Sequence, residues 1–404
     1  MTIKIRSKTT NTTSPKSTTN TKNRIIEKAA LIMRRTLFSR SFIRCLLVFT
    51  FVMPAINARA SETVRMIAID SYSSSALWVK VFIEYFIPEV DRRLAAKGNY
   101  NIDWNPAFGG TIAKTKGVLD SLQHDLADIG IITTPYHADK IPFYNLPYAT
   151  PLVSNDIGLI ARTMSDLADK YPQIKEAWHD YGIHYLTTAG SIDTYNILLT
   201  SELDSLKDLQ GQKIGGVGSN MLFLKGSGAA GVTSGLSDWY NNMATGLLDG
   251  ILVWPEAVVA YRLYEVAPYL LDIKFGGATS KAIVINQRTW KRLPDEVRQV
   301  LAETATDYRD ELARETDRIA AKSRVDFVAK GGTIIDVAPE QRLDWAKKLP
   351  DLAEAWVLAM DRKGLPGRQI LSDYMTIMRQ NNQTIVRDWD KPTLNTSQPS
   401  GDTQ

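Results

Sequence analysis

The chain has 404 residues, 44% of them hydrophobic and 23% charged, which is long enough for two domains with full hydrophobic cores. Residues 1–60 hold 12 of the 48 lysines and arginines but one of the 44 acidic residues, which leaves 36 basic and 43 acidic residues and a formal net charge of −7. An acidic body of this kind excludes nucleic acid as a partner.

The first 60 residues have the composition of an export leader. Residues 1–32 are rich in Thr, Ser, Asn and Lys, and we expect either a disordered extension or a mis-assigned start, with Met33 as the alternative first residue. Residues 33–60 resemble a signal peptide, with four arginines between residues 34 and 44, a short apolar run and an Ala-Arg-Ala cleavage site. The apolar run is shorter than the roughly 20 residues of a membrane span, although a retained anchor stays open as an alternative.

Cleavage of this leader has two expected consequences. The protein is secreted across the inner membrane into the periplasm, with no stable membrane insertion afterwards. The only cysteine, Cys45, lies inside the leader, so the exported protein has no disulfide and depends on packing for its stability.

The stretch after the leader alternates strand and helix patterns. Short apolar or alternating runs predict strands at residues 64–69, 100–104 and 127–132. Apolar residues spaced three and four apart predict helices at 77–86 and 112–123. Strands that alternate with helices imply a parallel, doubly wound α/β sheet with right-handed crossovers.

Polar and aromatic residues follow each of these three strands. Tyr72 comes after the first, a Phe-Gly-Gly turn ending at Gly110 after the second, and Thr134 and Tyr136 after the third. Open α/β sheets bind ligands at the carboxyl ends of their strands. Ordinary turn chemistry explains any one of these loops, but three loops on one edge favour a shared pocket.

A second α/β unit begins near residue 189, with strands predicted at 195–200, 212–217 and 282–285. After Pro294 an apolar stripe continues to a Gly-Gly stop and predicts a helix of about 50 Å. A helix of that length exceeds one small domain, so we expect it to span two lobes.

The sequence has few features typical of cofactor or catalytic sites. Residues 226–231 match the G-x-G-x-x-G pattern of dinucleotide sites, but Gly235 interrupts the segment that should open a helix, so a turn fits better. The histidines lack metal-ligand spacing, and neither a nucleophile elbow nor an isolated acid–base pair occurs. The sequence therefore predicts no cofactor, no metal and no enzyme.

Aromatic and amide side chains gather in the same unit. Trp239, Asn241 and Trp254 lie close together in the sequence, and Tyr195 lies upstream. Core packing is the alternative for each ring alone. Aromatic walls with a few polar groups are typical of small-ligand pockets, and these four residues are candidates for one.

A run of motifs extends over nearly all of residues 64–380. It includes Phe108-Gly109-Gly110, Asp128-Ile129-Gly130 and Leu293-Pro294. The densest part lies between residues 206 and 256 and comprises Asp208, Leu209, Gly211, Lys213, Ile214, Gly228 to Val232, Thr245, Gly246, Asp249 and Gly250. In order and spacing these motifs resemble the substrate-binding subunits of TRAP transporters, the DctP type.

The resemblance implies a periplasmic-binding-protein-like fold with two lobes, each a sheet flanked by helices, and a long helix spanning both. The implied lobes are residues 61–188 with about 277–310, and 189–276 with about 311–390, before a disordered tail at 391–404. It also implies a periplasmic receptor that traps a small solute between the lobes. The solute then passes to membrane permease subunits driven by a sodium gradient, without ATP.

Gly215 is the sharpest departure, because the family usually has an arginine there that clamps a substrate carboxylate. A buried carboxylate needs a charged partner, and Lys114, Lys225 and Arg262 are candidates to replace it. An organic acid such as a dicarboxylate therefore stays open beside a neutral or aromatic-stacking solute. The predicted ligand-binding residues are Tyr72, Gly110, Thr134, Tyr136, Tyr195, Gly215, Trp239, Asn241 and Trp254.

Two other functions remain open for such a chain. A periplasmic sensor-partner protein would bind a solute and dock on a receptor rather than on a permease. An enzyme on a similar bilobal fold is a further alternative, because function depends on sites rather than on folds.

Overall fold

The computed structural model describes residues 61–391, and the eleven strands in this part of the chain form two sheets. The expectations for residues 1–60 and 392–404 lie outside it. The strands are β1 Glu62–Ile69, β2 Tyr100–Ala107, β3 Ile129–Thr133, β4 Ile183–Ala189, β5 Asn196–Leu199, β6 Lys213–Gly216, β7 Ala230–Thr233, β8 Gly250–Val253, β9 Tyr269–Asp272, β10 Lys281–Asn286 and β11 Thr333–Asp336.

The α-helices pack against these sheets; ten of them lie between strands in the chain, and three follow β11. They are α1 Leu77–Val81, α2 Ile87–Lys97, α3 Gly117–Gln123, α4 Leu146–Ala149, α5 Ile157–Lys170, α6 Gln173–Glu176, α7 Trp239–Ala244, α8 Pro255–Ala260, α9 Gln287–Arg292, α10 Asp295–Ala329, α11 Pro339–Lys348, α12 Leu352–Asp361 and α13 Gly367–Gln380. A π-helical turn, Phe82–Phe86, joins α1 to α2, so the chain stays helical into Pro88, which lies in the first turn of α2 where proline is tolerated.

The first sheet has the strand order β2-β1-β3-β10-β4 and builds the first lobe. β1 pairs in parallel with β2 and β3, as the strand–helix alternation predicted. β10 pairs antiparallel with both β3 and β4, so the prediction of a wholly parallel sheet was wrong. The physical reason is that β10 enters this sheet from the second lobe, and local sequence patterns do not report the direction of such a long-range return.

The second sheet has the order β11-β9-β5-β8-β6-β7 and builds the second lobe. β6 pairs in parallel with β7 and β8, while β5 pairs antiparallel with β8 and β9. The chain crosses between the lobes from β4 to β5 and from β9 to β10. These two crossing segments hydrogen-bond to each other through Ile192 and Ala278, whose N···O distance is 3.0 Å.

Helix α10 contains 35 residues and confirms the predicted helix across both lobes. It packs on β4 and α5 of the first lobe and on α8 and β11 of the second. One ion pair attaches α10 to each lobe: Asp307 pairs with Arg93 of α2 in the first lobe, and Arg324 pairs with Asp272 of β9 in the second. The two lobes therefore share one helical backbone element.

The C-terminal helices depart from the expected division, which placed residues 311–390 in the second lobe. Trp345 of α11 does belong there, and its indole N–H donates to Phe223 O at 2.8 Å. Helices α12 and α13 instead pack on the first lobe, where Trp356 donates to Pro142 O at 2.8 Å. The amphipathic pattern of a helix shows that it has a buried face but does not identify the surface that covers it.

Candidate functional site

A small cavity lies between the two sheets at the carboxyl ends of β1, β3, β6 and β8. Its volume is about 30 Å³, roughly the space of one or two water molecules. Both lobes contribute to its wall, and five of the nine predicted residues line it: Tyr72, Tyr136, Tyr195, Trp239 and Trp254. Open α/β sheets place ligands in this position.

The other four predicted residues do not line this cavity. Thr134 is buried beside it, and its hydroxyl donates to Thr279 O at 3.4 Å. Gly110 lies in a turn with φ +73°, where a Cβ would be 3.3 Å from Ser71 O. Asn241 is exposed on α7. The structure therefore does not bring these three side-chain positions to the cavity.

Gly215 faces the apolar interior of the second lobe. A Cβ at this position would lie 2.6 Å from Leu248 Cδ1 and 3.2 Å from Ile251 Cγ2. An arginine side chain would need Leu248 to move before it reached the space between the lobes. Leu248 thus occupies the room that a side chain at Gly215 would use.

Three tryptophans set the shape of the cavity. Trp254 is 6.2 Å from Trp239 and 6.5 Å from Trp78, measured between ring centroids. Each indole N–H is used in a hydrogen bond: Trp239 donates to Ser234 O, Trp254 to a Glu256 carboxyl oxygen and Trp78 to an Asp70 carboxyl oxygen, at 3.0, 2.8 and 3.1 Å. Because the N–H groups are satisfied, the rings are fixed and leave apolar surfaces toward the cavity.

Lys281, the first residue of β10, is the charged residue among those that line the cavity. Its side chain is buried, and its Nζ donates to Thr133 Oγ1 at 3.1 Å. Nζ also lies 3.8 Å from the centroid of the Trp78 ring, in cation–π geometry. A buried ammonium is therefore present at the first-lobe side of the cavity.

Asp70 balances this charge from behind the cavity wall. It is buried at the end of β1, and its carboxylate accepts from Tyr72 N at 2.7 Å and from the Trp78 indole. Burial raises the pKa of Asp70 to about 6 and lowers the pKa of Lys281 to about 7, while the attraction between the two charges opposes both shifts. Each group favours the charged form of the other.

Sequence reasoning missed Lys281, because the predicted strand begins one residue late, at residue 282. The available signal was a lysine directly before a strand that is apolar at consecutive positions, since such strands are buried on both faces. The three cations proposed from the sequence lie elsewhere. Lys114 and Lys225 are exposed outside the cavity, and Arg262 forms a surface ion pair with Glu265.

A larger open groove of about 620 Å³ lies wholly within the second lobe, between residues 205–210, 226–228 and 341–348. It includes the first glycines of the G-x-G-x-x-G match, which leads into strand β7 rather than into a helix. That context removes the dinucleotide alternative. The groove touches one lobe only, so a ligand there would not hold two lobes together, and the smaller cavity is the better candidate site.

Within residues 61–391 no three His, Cys, Asp or Glu side chains are grouped as metal ligands. No helix in the same range has both the length and the apolar character needed to cross a bilayer. The arrangement is suited to enclosing a small molecule between aromatic rings and one ammonium.

Comparison with known proteins agrees with this architecture. A TRAP periplasmic solute-binding protein from Desulfovibrio salexigens is 21% identical, over 80% of this chain and 97% of that one, with a TM-score of 0.67. One from Bordetella bronchiseptica with bound mandelate is 18% identical, over 79% and 99%, with a TM-score of 0.68. One from a marine metagenome with co-purified pyroglutamate is 17% identical, over 79% and 99%, with a TM-score of 0.66.

At these identities the structural likeness establishes the two-lobed fold. The family described as bacterial extracellular solute-binding protein, family 7 (DctP) matches residues 74–357. Its members are TRAP-type solute receptors rather than enzymes, which implies a periplasmic location, a small-molecule ligand and membrane permease partners. The match extends over most of the chain, and this protein belongs to the DctP family of TRAP solute-binding proteins.

Proposed function

We propose that the chain is the solute-binding subunit of a TRAP transporter driven by a sodium gradient and independent of ATP. It captures a small organic solute in the periplasm and delivers it to the membrane permease. The observation that supports this proposal is the meeting of aromatic side chains from both lobes in one cavity. A solute that touches both lobes stabilises the closed arrangement over the open one.

The solute proposed is a small organic acid. The similar proteins from Bordetella bronchiseptica and the marine metagenome hold mandelate and pyroglutamate, both of which are organic acids. The buried ammonium of Lys281 gives this cavity a positive charge of its own. Tyrosine hydroxyls on both sides of the cavity can hydrogen-bond to polar atoms of the solute, as in other small-ligand pockets.

Substitution of the aromatic wall tests the assignment of the binding cavity. Trp239→Ala and Trp254→Ala should each weaken solute binding at least about tenfold, because each removes a large apolar contact that is worth 1.4 kcal/mol or more. Isothermal titration calorimetry would measure the affinities. Tyr240→Ala is the matched control, since Tyr240 neighbours Trp239 on α7 but is exposed and bonded to Glu265.

Binding of the solute and its delivery to the permease are tested by different outcomes. If both tryptophan variants fold and bind as tightly as the unchanged protein, the cavity is not the binding site. Uptake into vesicles that contain the permease subunits should require this protein and a sodium gradient. Uptake without a sodium gradient would contradict the proposed type of transport.

A further inference from the structure

We infer that the solute is a monocarboxylate whose carboxylate binds Lys281 on the first lobe, and that the cavity discriminates against dicarboxylates. This inference rests on the proposed function. It assigns the pairing with the solute carboxylate to Lys281 of β10 instead of to position 215 of β6. It also narrows the solute from organic acids in general to those with one carboxylate.

The surroundings of the Lys281 ammonium leave it able to bind an anion. An ammonium has three N–H donors, and Thr133 Oγ1 accepts one of them at 3.1 Å. Within residues 61–391 Lys281 forms no ion pair at 4.0 Å or less, so Asp70 balances its charge without bonding to Nζ directly. A solute carboxylate can therefore accept from Nζ without displacing a protein carboxylate.

The aromatic neighbours hold Lys281 at the cavity surface. Nζ lies 3.8 Å from the Trp78 ring centroid and 5.4 Å from that of Tyr72. The Trp78 indole is itself fixed by its hydrogen bond to Asp70. The ammonium is thus positioned before the solute arrives, which reduces the entropy lost on binding.

Lys281 supplies the positive charge that position 215 lacks. Gly215 has no side chain, and Leu248 occupies the space that a Cβ at this position would need. The second lobe therefore has no cationic side chain at position 215. Lys281 supplies a positive charge from the opposite wall, on the first lobe.

The rest of the cavity explains the preference for a single carboxylate. Its second-lobe wall is uncharged and includes Val217, Leu236, Trp239 and Trp254. A second carboxylate on the solute would be buried against these side chains without a cation, which is strongly unfavourable. The volume of about 30 Å³ is the space of one or two water molecules, so the lobes must separate further to admit any organic acid.

Calorimetry on chemically matched pairs of acids tests the inference. The probes are butyrate against succinate, lactate against malate, and benzoate against phthalate, with neutral polyols and cationic amines as further classes. At least one monocarboxylate should bind ten times more tightly than its dicarboxylate partner. Lys281→Met should weaken that binding at least a hundredfold, whereas Lys225→Met, at an exposed lysine outside the cavity, should leave it unchanged.

A second variant tests whether Lys281→Met weakens binding only because the protein misfolds. Lys281→Met alone leaves Asp70 buried beside an apolar side chain, so Asp70→Asn combined with Lys281→Met removes both charges together. Tighter binding of dicarboxylates, binding of neutral or cationic solutes alone, or full affinity in a folded Lys281 variant would each overturn the inference and leave the proposed function intact. Failure of every solute class to bind the unchanged protein would overturn the proposed function itself.

Discussion

At the scale of single residues, the chemistry of this protein is concentrated in the Asp70–Lys281 pair. Both groups are buried, and burial disfavours the charged form of each. Their mutual attraction, the Trp78 ring and the hydrogen bonds to Asp70 offset that effect. The result is a lysine whose pKa is lowered toward neutral pH, and in the proposed site its protonation should affect solute binding.

The lowered pKa of Lys281, about 7, predicts a pH-dependent affinity. Above that pH the ammonium loses its proton, so the affinity for a monocarboxylate should fall, by up to about tenfold per pH unit. Calorimetry between pH 6.5 and 9 would measure this. The tyrosines around the cavity have raised pKa values that keep them neutral over this range: Tyr72, Tyr136, Tyr148 and Tyr195. Two carboxyl groups behind the cavity wall also titrate, because burial raises the pKa of Asp70 to about 6 and that of Glu256, which is bonded to the Trp254 indole, to about 7.

Lys281→Arg is the control for this pH effect. A guanidinium stays protonated to beyond pH 12, so the fall in affinity caused by Lys281 should disappear in this variant, and any dependence that remains between pH 6.5 and 9 comes from Glu256 or Asp70. If the affinity of the protein that keeps Lys281 does not vary between pH 6.5 and 9, the charge of Lys281 takes no part in binding.

At the scale of elements, the sequence predicts more of the fold than of its connections. The predicted strand at 127–132 is observed at Ile129–Thr133, and the strand at 282–285 at Lys281–Asn286. The length and stripe of α10 were also predicted, because periodicity is a local property. The antiparallel entry of β10 and the partners of α12 and α13 depend on contacts between distant residues, so local patterns do not contain them.

The same distinction applies to the site. The five predicted residues that reach the cavity follow strand ends or belong to an aromatic cluster, both of which are readable in the sequence. Gly215 was chosen by motif alignment and Asn241 by its nearness to Trp239 in the sequence, and their directions depend on packing against Leu248 and on the orientation of α7. Finding Lys281 required knowledge that β10 pairs with β3, a contact between distant residues that local patterns do not contain.

The attachment of α10 to the second lobe gives a prediction at this scale. Arg324 donates to Asp272 at 2.9 Å, and Asp272 is 3% exposed. Arg324→Met should lower the free energy of unfolding by about 2 kcal/mol, because it leaves a buried carboxylate with Lys274 as its remaining cation. Urea denaturation would measure the loss.

Arg318→Met on the same helix is the matched control for this ion pair. Arg318 pairs with Glu315 within the helix, and its side chain is 59% exposed. Exposed pairs of this kind contribute at most about 1 kcal/mol. Equal losses for the two variants would show that the buried pair has no special role in holding α10.

At the scale of the whole molecule, the two lobes are joined so that a solute can link them. The crossing segments hydrogen-bond through Tyr195 N and Gly276 O at 3.1 Å, and Tyr195 also lines the cavity. The ammonium lies on the first lobe, while Trp239 and Trp254 lie on the second. A solute held by one lobe and covered by the other converts binding energy into a preference for the closed form.

The most direct test of this account is a crystal structure of the protein grown with the monocarboxylate that it binds most tightly. We predict electron density for the solute between Trp78, Trp239 and Trp254, with a carboxylate oxygen about 3 Å from Lys281 Nζ. Density in the second-lobe groove near Lys207 and Lys348, or a carboxylate that turns away from Lys281, would contradict it.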